Sequence, residues 1–308
     1  MNINRSEMSS EPPPQFSQTF VCWGELLWDI FATGPELGGS AANVAINLHR
    51  LGARPLLVSR VGRDALGDAA ILRLSSYGLD TSFIQRDWTA PTGTVDVTFN
   101  GDEPIYTIAS EASWDRIEIE SHLSSHFSDI GGIVYGTLAQ RAPIVQDALK
   151  NLLRSRSLQC WAICDLNLRP PHVSPTLVQE ALAFADVVKM NEQELGQVAE
   201  ILATSDPVLR IFDDFPVRVL AVTRKERGCT LFTREGRFDH PGFPLLDNQG
   251  DSVGAGDAFT AMLAFELVRG TSIDVVGKRA NDHARRVASA RGAFGFSTAE
   301  SEKRDEPG

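Results

Sequence analysis

Strand-length apolar runs alternate with helix-length stretches along most of this chain, and that order limits the folds open to it. Thr19-Phe20-Val21-Cys22-Trp23-Gly24 reads as a buried first strand. A helix follows the Gly38-Gly39 entry, with apolar residues at Val44, Leu48 and Leu51 and a stop at Gly52. Pro55 to Val61 is a second buried strand, and Gly62-Arg63-Asp64-Ala65-Leu66-Gly67 leads into a second helix. Gly131 to Tyr135, Cys160 to Asp165, Val187 to Met190 and Val217 to Thr223 read as further strands. Ala142 to Ser155, Thr176 to Ala185 and Glu192 to Leu202 read as the helices between them. Cys229 to Phe232 returns as a hairpin partner of the strand ending at Thr223. Strand, helix, strand in succession calls for parallel pairing through right-handed crossovers, an α/β fold. The loops after the strand C-termini then share one edge of the sheet, where open α/β sheets bind ligands.

Residues 92–110 break the pattern. Thr92 to Phe99 alternates with period two, Asn100-Gly101 is a strong hairpin turn signal, and Ile105 to Ile108 returns. An antiparallel hairpin inserted into an α/β chain suggests a small sheet that covers a site or pairs with another subunit. Its apolar Val95, Val97 and Phe99 favour a homodimer. Upstream, Glu25 to Asp29 leads to a Gly/Pro turn at Thr33-Gly34-Pro35. Asp29 lies just past the first strand, either as a site carboxylate or as a solvated loop acid.

The composition excludes some classes. A formal charge of −11 over 308 residues argues against a nucleic-acid partner and against an anionic membrane surface. No window approaches a membrane-spanning length. Cys22, Cys160, Cys164 and Cys229 are scattered through apolar runs, as suits reduced thiols in a cytoplasmic protein. Cys160 and Cys164 sit in a strand-like run with no second pair, so core packing is favoured over a metal site. Residues 1–18, with Pro12-Pro13-Pro14 and many polar side chains, read as a disordered tail. Residues 299–308 are taken as a second, C-terminal tail.

The residues with the most chemical content are Asp251-Ser252-Val253-Gly254-Ala255-Gly256-Asp257-Ala258-Phe259, ahead of a helical run to Arg269 closed by Gly270. Glycine removes side chains that would block close approach, and the amides of a first helical turn attract an anion. An acid in that turn repels phosphate, unless it deprotonates a nucleophile while the amides hold the developing charge. The competing reading is a small-residue turn with a capping Asp. Asn43, early in another Gly-entered helix, offers a donor and an acceptor that suit a sugar hydroxyl. Asn191 and Glu194 lie one helical turn apart. They suit either a hydrated cation or phosphate, or a capping box. The six histidines show no zinc-binding spacing, and no nucleophile elbow, P-loop or dinucleotide fingerprint occurs.

Two separated signatures in this order resemble the PfkB carbohydrate kinase family, whose fold is named after ribokinase. Gly38-Gly39-Ser40-Ala41-Ala42-Asn43 with Gly52 is similar to the N-terminal signature, and Asp251 to Asp257 to the C-terminal one. Gly24 to Asp29, Ala112-Ser113-Trp114-Asp115 and Asp165-Leu166-Asn167-Leu168-Arg169 look most like bacterial fructokinases. The resemblance covers residues 19–298. It implies a three-layer α/β/α domain with a mostly parallel sheet, and a β lid from about 28–37 and 89–115. It also implies ATP-dependent phosphorylation of a monosaccharide's primary hydroxyl, with Mg2+ and, in many members, K+. Asp257 would be the base, with the amides of Gly254, Ala255, Gly256 and Asp257 as the anion hole. Asp29, Gly38, Gly39 and Asn43 would meet the sugar. Arg169 stays open between a ketose or phosphate contact and a salt bridge steadying its loop. Asn191 and Glu194 would order Mg2+ and phosphates, Thr223 and Gly228 would line the nucleotide phosphates, and Asn281 would lie near adenine. Asp251, Val253, Ala290 and Gly292 match the places around a potassium ion. One departure stands out: Lys225 replaces the first glycine of the family's Thr-x-Gly-x-x-Gly. Hydroxyl stereochemistry is not legible at this level, so ribose, 2-keto-3-deoxygluconate or a nucleoside remains open as acceptor, as does a non-catalytic binding role.

Overall fold

The computed structural model describes residues 18–100, 103–120, 123, 129–244 and 253–289. In chain order the first strands are β1 (Thr19–Trp23), β2 (Leu27–Phe31), β3 (Gly34–Gly38), β4 (Arg54–Gly62), β5 (Ile84–Asp87), β6 (Gly93–Asn100) and β7 (Glu103–Ile108). They continue with β8 (Ile130–Gly136), β9 (Trp161–Asp165), β10 (Val187–Asn191), β11 (Val219–Thr223), β12 (Cys229–Phe232) and β13 (Arg237–His240). The helices are α1 (Ser40–Arg50), α2 (Ala65–Ser76), α3 (Pro143–Ser155) and α4 (Pro175–Phe184). After them come α5 (Glu192–Ile201), α6 (Pro207–Asp214), α7 (Ala255–Val268) and α8 (Ile273–Ala288).

Nine strands form the main sheet in the order β13-β12-β11-β10-β9-β8-β1-β4-β5. The pairs from β11 through β5 are parallel, and β12 runs antiparallel to both of its neighbours, β11 and β13. Alternation along β1 sends its side chains to opposite faces. Val21 and Trp23 join one apolar core, Phe20 and Cys22 the other. Leu149 and Leu152 of α3, Val178 of α4 and Phe212 of α6 complete the first core. Val44 and Leu48 of α1, Leu74 of α2, Leu263 of α7 and Val276 of α8 complete the second. The result is the three-layer α/β/α arrangement expected from the resemblance. Helix α7 is apolar on nearly every side and is buried along most of its length, so its first turn is held rigidly.

A separate four-stranded sheet, ordered β3-β2-β6-β7, stands off the main one. Leu27, Val95 and Val97 form its own small core. The chain reverses at Ala32 and Thr33, earlier than the Gly/Pro signal suggests. Gly34 and Pro35 already belong to β3, paired with Phe31 and Ile30. Proline is tolerated there because β3 is an edge strand. The hairpin tip at Gly101 lies outside the described residues. All four cysteines are buried and free. No helix among the described residues is long and apolar enough to cross a membrane.

Candidate active site

Two helix N-termini converge at the C-terminal edge of the sheet. Gly254 takes a left-handed conformation (φ 76°), and α7 begins directly after it, this glycine N-cap having no side chain to offer the first amides. Helix α1 begins after Gly39, whose φ of 104° and whose approach to Glu25 require glycine: a Cβ there would sit 2.3 Å from the Glu25 carbonyl oxygen. Asp257 in the first turn of α7 meets the first turn of α1. Its Oδ1 accepts from Ser40 Oγ at 2.6 Å and its Oδ2 from Asn43 Nδ2 at 2.7 Å. Asp257 therefore does not cap its own helix. Burial, with the nearby Asp165, pushes its carboxyl above the usual range, while Ser40, Asn43 and Lys189 pull the other way.

Beneath this turn lies a buried polar group that sequence reasoning missed. Lys189 Nζ of β10 bonds both Asp165 oxygens at 3.0 Å, and Thr260 Oγ1 donates to Asp165 Oδ2 at 2.7 Å. The Lys189 ammonium lies so close under Gly256 that a Cβ there would be 3.2 Å from it. Alternation within an apolar strand hid Lys189. The signal available was a cation at an otherwise apolar strand position, and the sheet register sets it directly beside Asp165.

On the other side of Asp257, Asp29 of β2 and Glu25 form an acidic wall. Asp29 Oδ2 lies where a Cβ on Gly38 would need to be, 2.3 Å away, so Gly38 gives the carboxylate room. Burial first, then Glu36 and Asp257, raises Asp29 to about 6, and Arg169 opposes them. Glu25, buried and accepting from the Ser40 amide at 3.2 Å, is pushed up to about 7, chiefly by burial. Arg169 is exposed and lowers both acids, which places it on this side of the cluster. Asn43 keeps a buried Oδ1 with no hydrogen-bond partner among the described residues.

The remaining predicted residues gather around β10, β11 and α8. Asn191 and Glu194 form a reciprocal capping box: Glu194 N donates to Asn191 Oδ1 at 2.9 Å, and Asn191 N donates to Glu194 Oε2 at 2.7 Å. The other Glu194 oxygen accepts from the Leu168 amide at 2.8 Å. Thr223 pairs with Asn191 across the β10–β11 edge. Gly228 (φ 83°) closes the next turn, where a Cβ would clash with the His240 carbonyl at 2.0 Å. Lys225 occupies the left-handed region (φ 54°), the conformation that glycine would supply freely. Asn281 of α8 donates to Cys229 Sγ at 3.0 Å and to the Gly277 carbonyl at 3.0 Å, and lies 3.1 Å from His240 Nδ1. Val253 borders the α7 turn, whereas Asp251, Ala290 and Gly292 lie outside the described residues.

Among the described residues no cluster of three or more His, Cys, Asp or Glu side chains could hold a metal ion. A cavity of about 830 Å³ lies elsewhere, between β5 and the start of α3, and shares no residue with the Asp257 cluster. Its four arginines are all paired with carboxylates, Arg60 and Arg116 with Asp87, Arg86 with Asp68 and Arg141 with Asp115.

Known proteins resemble this chain in sequence and in fold. Fructokinase-1 of Oryza sativa subsp. japonica is 27% identical over 90% of this chain and 91% of its own length. A fructokinase from Xylella fastidiosa solved with bound ATP superposes with a TM-score of 0.80 at 23% identity, covering 91% of this chain and 94% of that one. A fructokinase from Vibrio cholerae O395 solved with fructose, ADP and calcium gives a TM-score of 0.74 at 22% identity, covering 90% and 94%. The model of the pfkB family carbohydrate kinases matches residues 24–299, and the chain belongs to that family of carbohydrate kinases.

Proposed function

We propose that this protein transfers the γ-phosphoryl group of ATP to a primary hydroxyl of a monosaccharide, with fructose as the acceptor. The observation that carries the reading is Asp257, a half-buried carboxylate in the glycine-entered first turn of α7 and held by α1. Asp257 takes the hydroxyl proton as the sugar oxygen attacks, and its raised proton affinity suits it to that work. The amides from Gly254 to Asp257 receive the charge that develops on the phosphoryl oxygens, helped by the helix dipole. Phosphoryl transfer needs little covalent help from a protein beyond such positioning and charge neutralisation.

The sugar lies against Asp29, Gly38, Gly39 and Asn43. Asp29 accepts hydroxyl protons, the two glycines let the ring approach the backbone, and Asn43 Oδ1 gains the donor it lacks. Arg169 reaches the same space and contacts the ketose. Fructose is the acceptor chosen because the named relatives are fructokinases, one of them solved with fructose. The four-stranded sheet, joined to the site through Asp29, closes over the sugar and excludes water. Its outer strand β7 exposes Ile105 and Tyr106, which supports a homodimer through this sheet.

ATP lies toward β11 and α8, past Thr223, Gly228 and Asn281. Magnesium neutralises phosphate charge when bound. Both Glu194 oxygens already accept backbone amides, so Asn191 and Glu194 suit a hydrated ion held through water rather than direct ligation.

Purified protein is tested for ADP release with Mg-ATP and a panel of fructose, ribose, 2-keto-3-deoxygluconate and nucleosides. Fructose is expected to give the highest kcat/KM. Asp257→Ala is expected to lower kcat by roughly a thousandfold or more with the circular dichroism unchanged. Near-full activity in that variant refutes the base assignment. A chain whose Tm rises with ATP and sugar but which turns over neither is a binding protein instead.

A further inference from the structure

We propose that Ser40 is a positioning residue for the catalytic base, its hydroxyl holding the Asp257 carboxylate in one rotamer and in its ionised form. The proposal rests on Asp257 acting as the base. Ser40 and Asn43 lie three residues apart, on one face of the first turn of α1, and each takes one Asp257 oxygen. Two donors on two oxygens fix the plane of the carboxylate. Each oxygen keeps a further lone pair, so the direction left for a sugar hydroxyl is fixed as well. Ser40 makes the shorter of the two bonds, 2.6 Å against 2.7 Å.

Ser40 is itself held in place. Its amide donates to Glu25 Oε1 at 3.2 Å, and the preceding Gly39 packs its backbone onto the Glu25 carbonyl. Its hydroxyl therefore approaches Asp257 from a fixed point on the sugar side. The charged groups facing Asp257 are mostly acids: Asp165 of β9, Asp29 of β2 and Glu25 between β1 and β2. Lys189 of β10 is the facing cation, and it is already shared with Asp165. In that setting a hydroxyl donor favours the charged form of the base without adding a charge that the phosphate would feel.

The experiment uses the full chain with 13C-labelled aspartate, the Asp257 signal being assigned by its loss in Asp257→Asn. Wild type, Ser40→Ala and Ser40→Thr are titrated by NMR without substrate, then compared in the pH profile of kcat/KM for the sugar. Ser40→Ala is expected to raise the proton affinity of Asp257 about tenfold, one pKa unit. The acid limb of the profile is expected to move up by the same amount, with KM for ATP unchanged. Ser40→Thr keeps the hydroxyl at a half-buried position, so both readouts are expected to return toward wild type. A Ser40→Ala titration that matches wild type overturns the proposal, as does a Ser40→Thr protein that keeps the alanine profile. If the wild-type chain phosphorylates no sugar, the functional reading fails while the titration still decides the role of Ser40.

Discussion

Replacing Lys189 by methionine removes the cation from a buried pair while nearly keeping the side-chain volume. Lys189 and Asp165 are 8% and 3% exposed in their side chains, with the ammonium 3.0 Å from either carboxylate oxygen. At that distance the attraction is about 5 kcal/mol for an effective dielectric near 20. Without Lys189, Asp165 keeps the Thr260 hydroxyl but no facing cation, in a place water scarcely reaches. Breaking a buried pair from one side costs about 3–5 kcal/mol, against a typical total stability of about 5–15 kcal/mol. The expected fall in Tm is roughly 10 °C. Urea unfolding followed by circular dichroism at neutral pH measures the loss, and an unchanged m-value shows that the denatured state is the same. The companion variant Lys189→Met/Asp165→Leu is expected to regain most of that stability, because an apolar pair carries no uncompensated charge. Its Thr260 hydroxyl can turn wholly to the Gly256 carbonyl, already 3.0 Å away. A loss below about 1 kcal/mol in the single variant would show a solvated surface pair instead. A double variant no more stable than the single one would also refute the reasoning.

Two further outcomes follow from groups near the site. Burial holds Glu25 at about 7 in the folded chain against an ordinary 4.5, so the folded state binds its proton more tightly than the unfolded state does. That contribution is complete below about pH 4.5 and is lost as pH rises through 7. Glu25→Gln keeps an acceptor for the Ser40 amide, and its Tm is expected to exceed wild type at pH 8 but not at pH 4.5. Equal Tm values at pH 8 would refute the burial argument. Lys225 sits exposed at φ 54°, so Lys225→Gly relieves about 1 kcal/mol of left-handed strain against a similar entropy cost in the unfolded chain. Stability in urea is expected to hold or rise slightly, and a loss of about 1 kcal/mol or more, the usual penalty of an exposed glycine, would contradict that backbone conformation.

The parallel core was legible because its strands are apolar on both faces and its helices carry clear stops, such as Gly52 after α1. Elements with weak patterns were not. Strand β5 is Ile-Gln-Arg-Asp, with one apolar residue, and is specified by its pairing with β4 rather than by its own composition. Strand β13, Arg-Phe-Asp-His, likewise carries one large apolar residue and is placed by its pairing with β12. At the site, Asp257, Gly39 and Asn43 drew attention because small residues mark close approach. Ser40 passed for a spacer within the same motif, although its hydroxyl bonds Asp257. Asp165 and Lys189 come from different strands, and only sheet register shows that they meet. Asn191 and Glu194 fit two roles by spacing, and the geometry shows the capping box directly.

The hydrogen bond from Ser40 to Asp257 joins residues 217 positions apart. Contacts so distant in sequence close late, after long loops have been ordered. While the chain is being synthesised, Ser40 emerges 217 residues ahead of Asp257. On the proposed function, a nascent chain therefore carries the residues of the sugar side before it has the base or the anion hole. On that reading a chain that stops short of α7 has the surface for the sugar but no means of phosphorylating it.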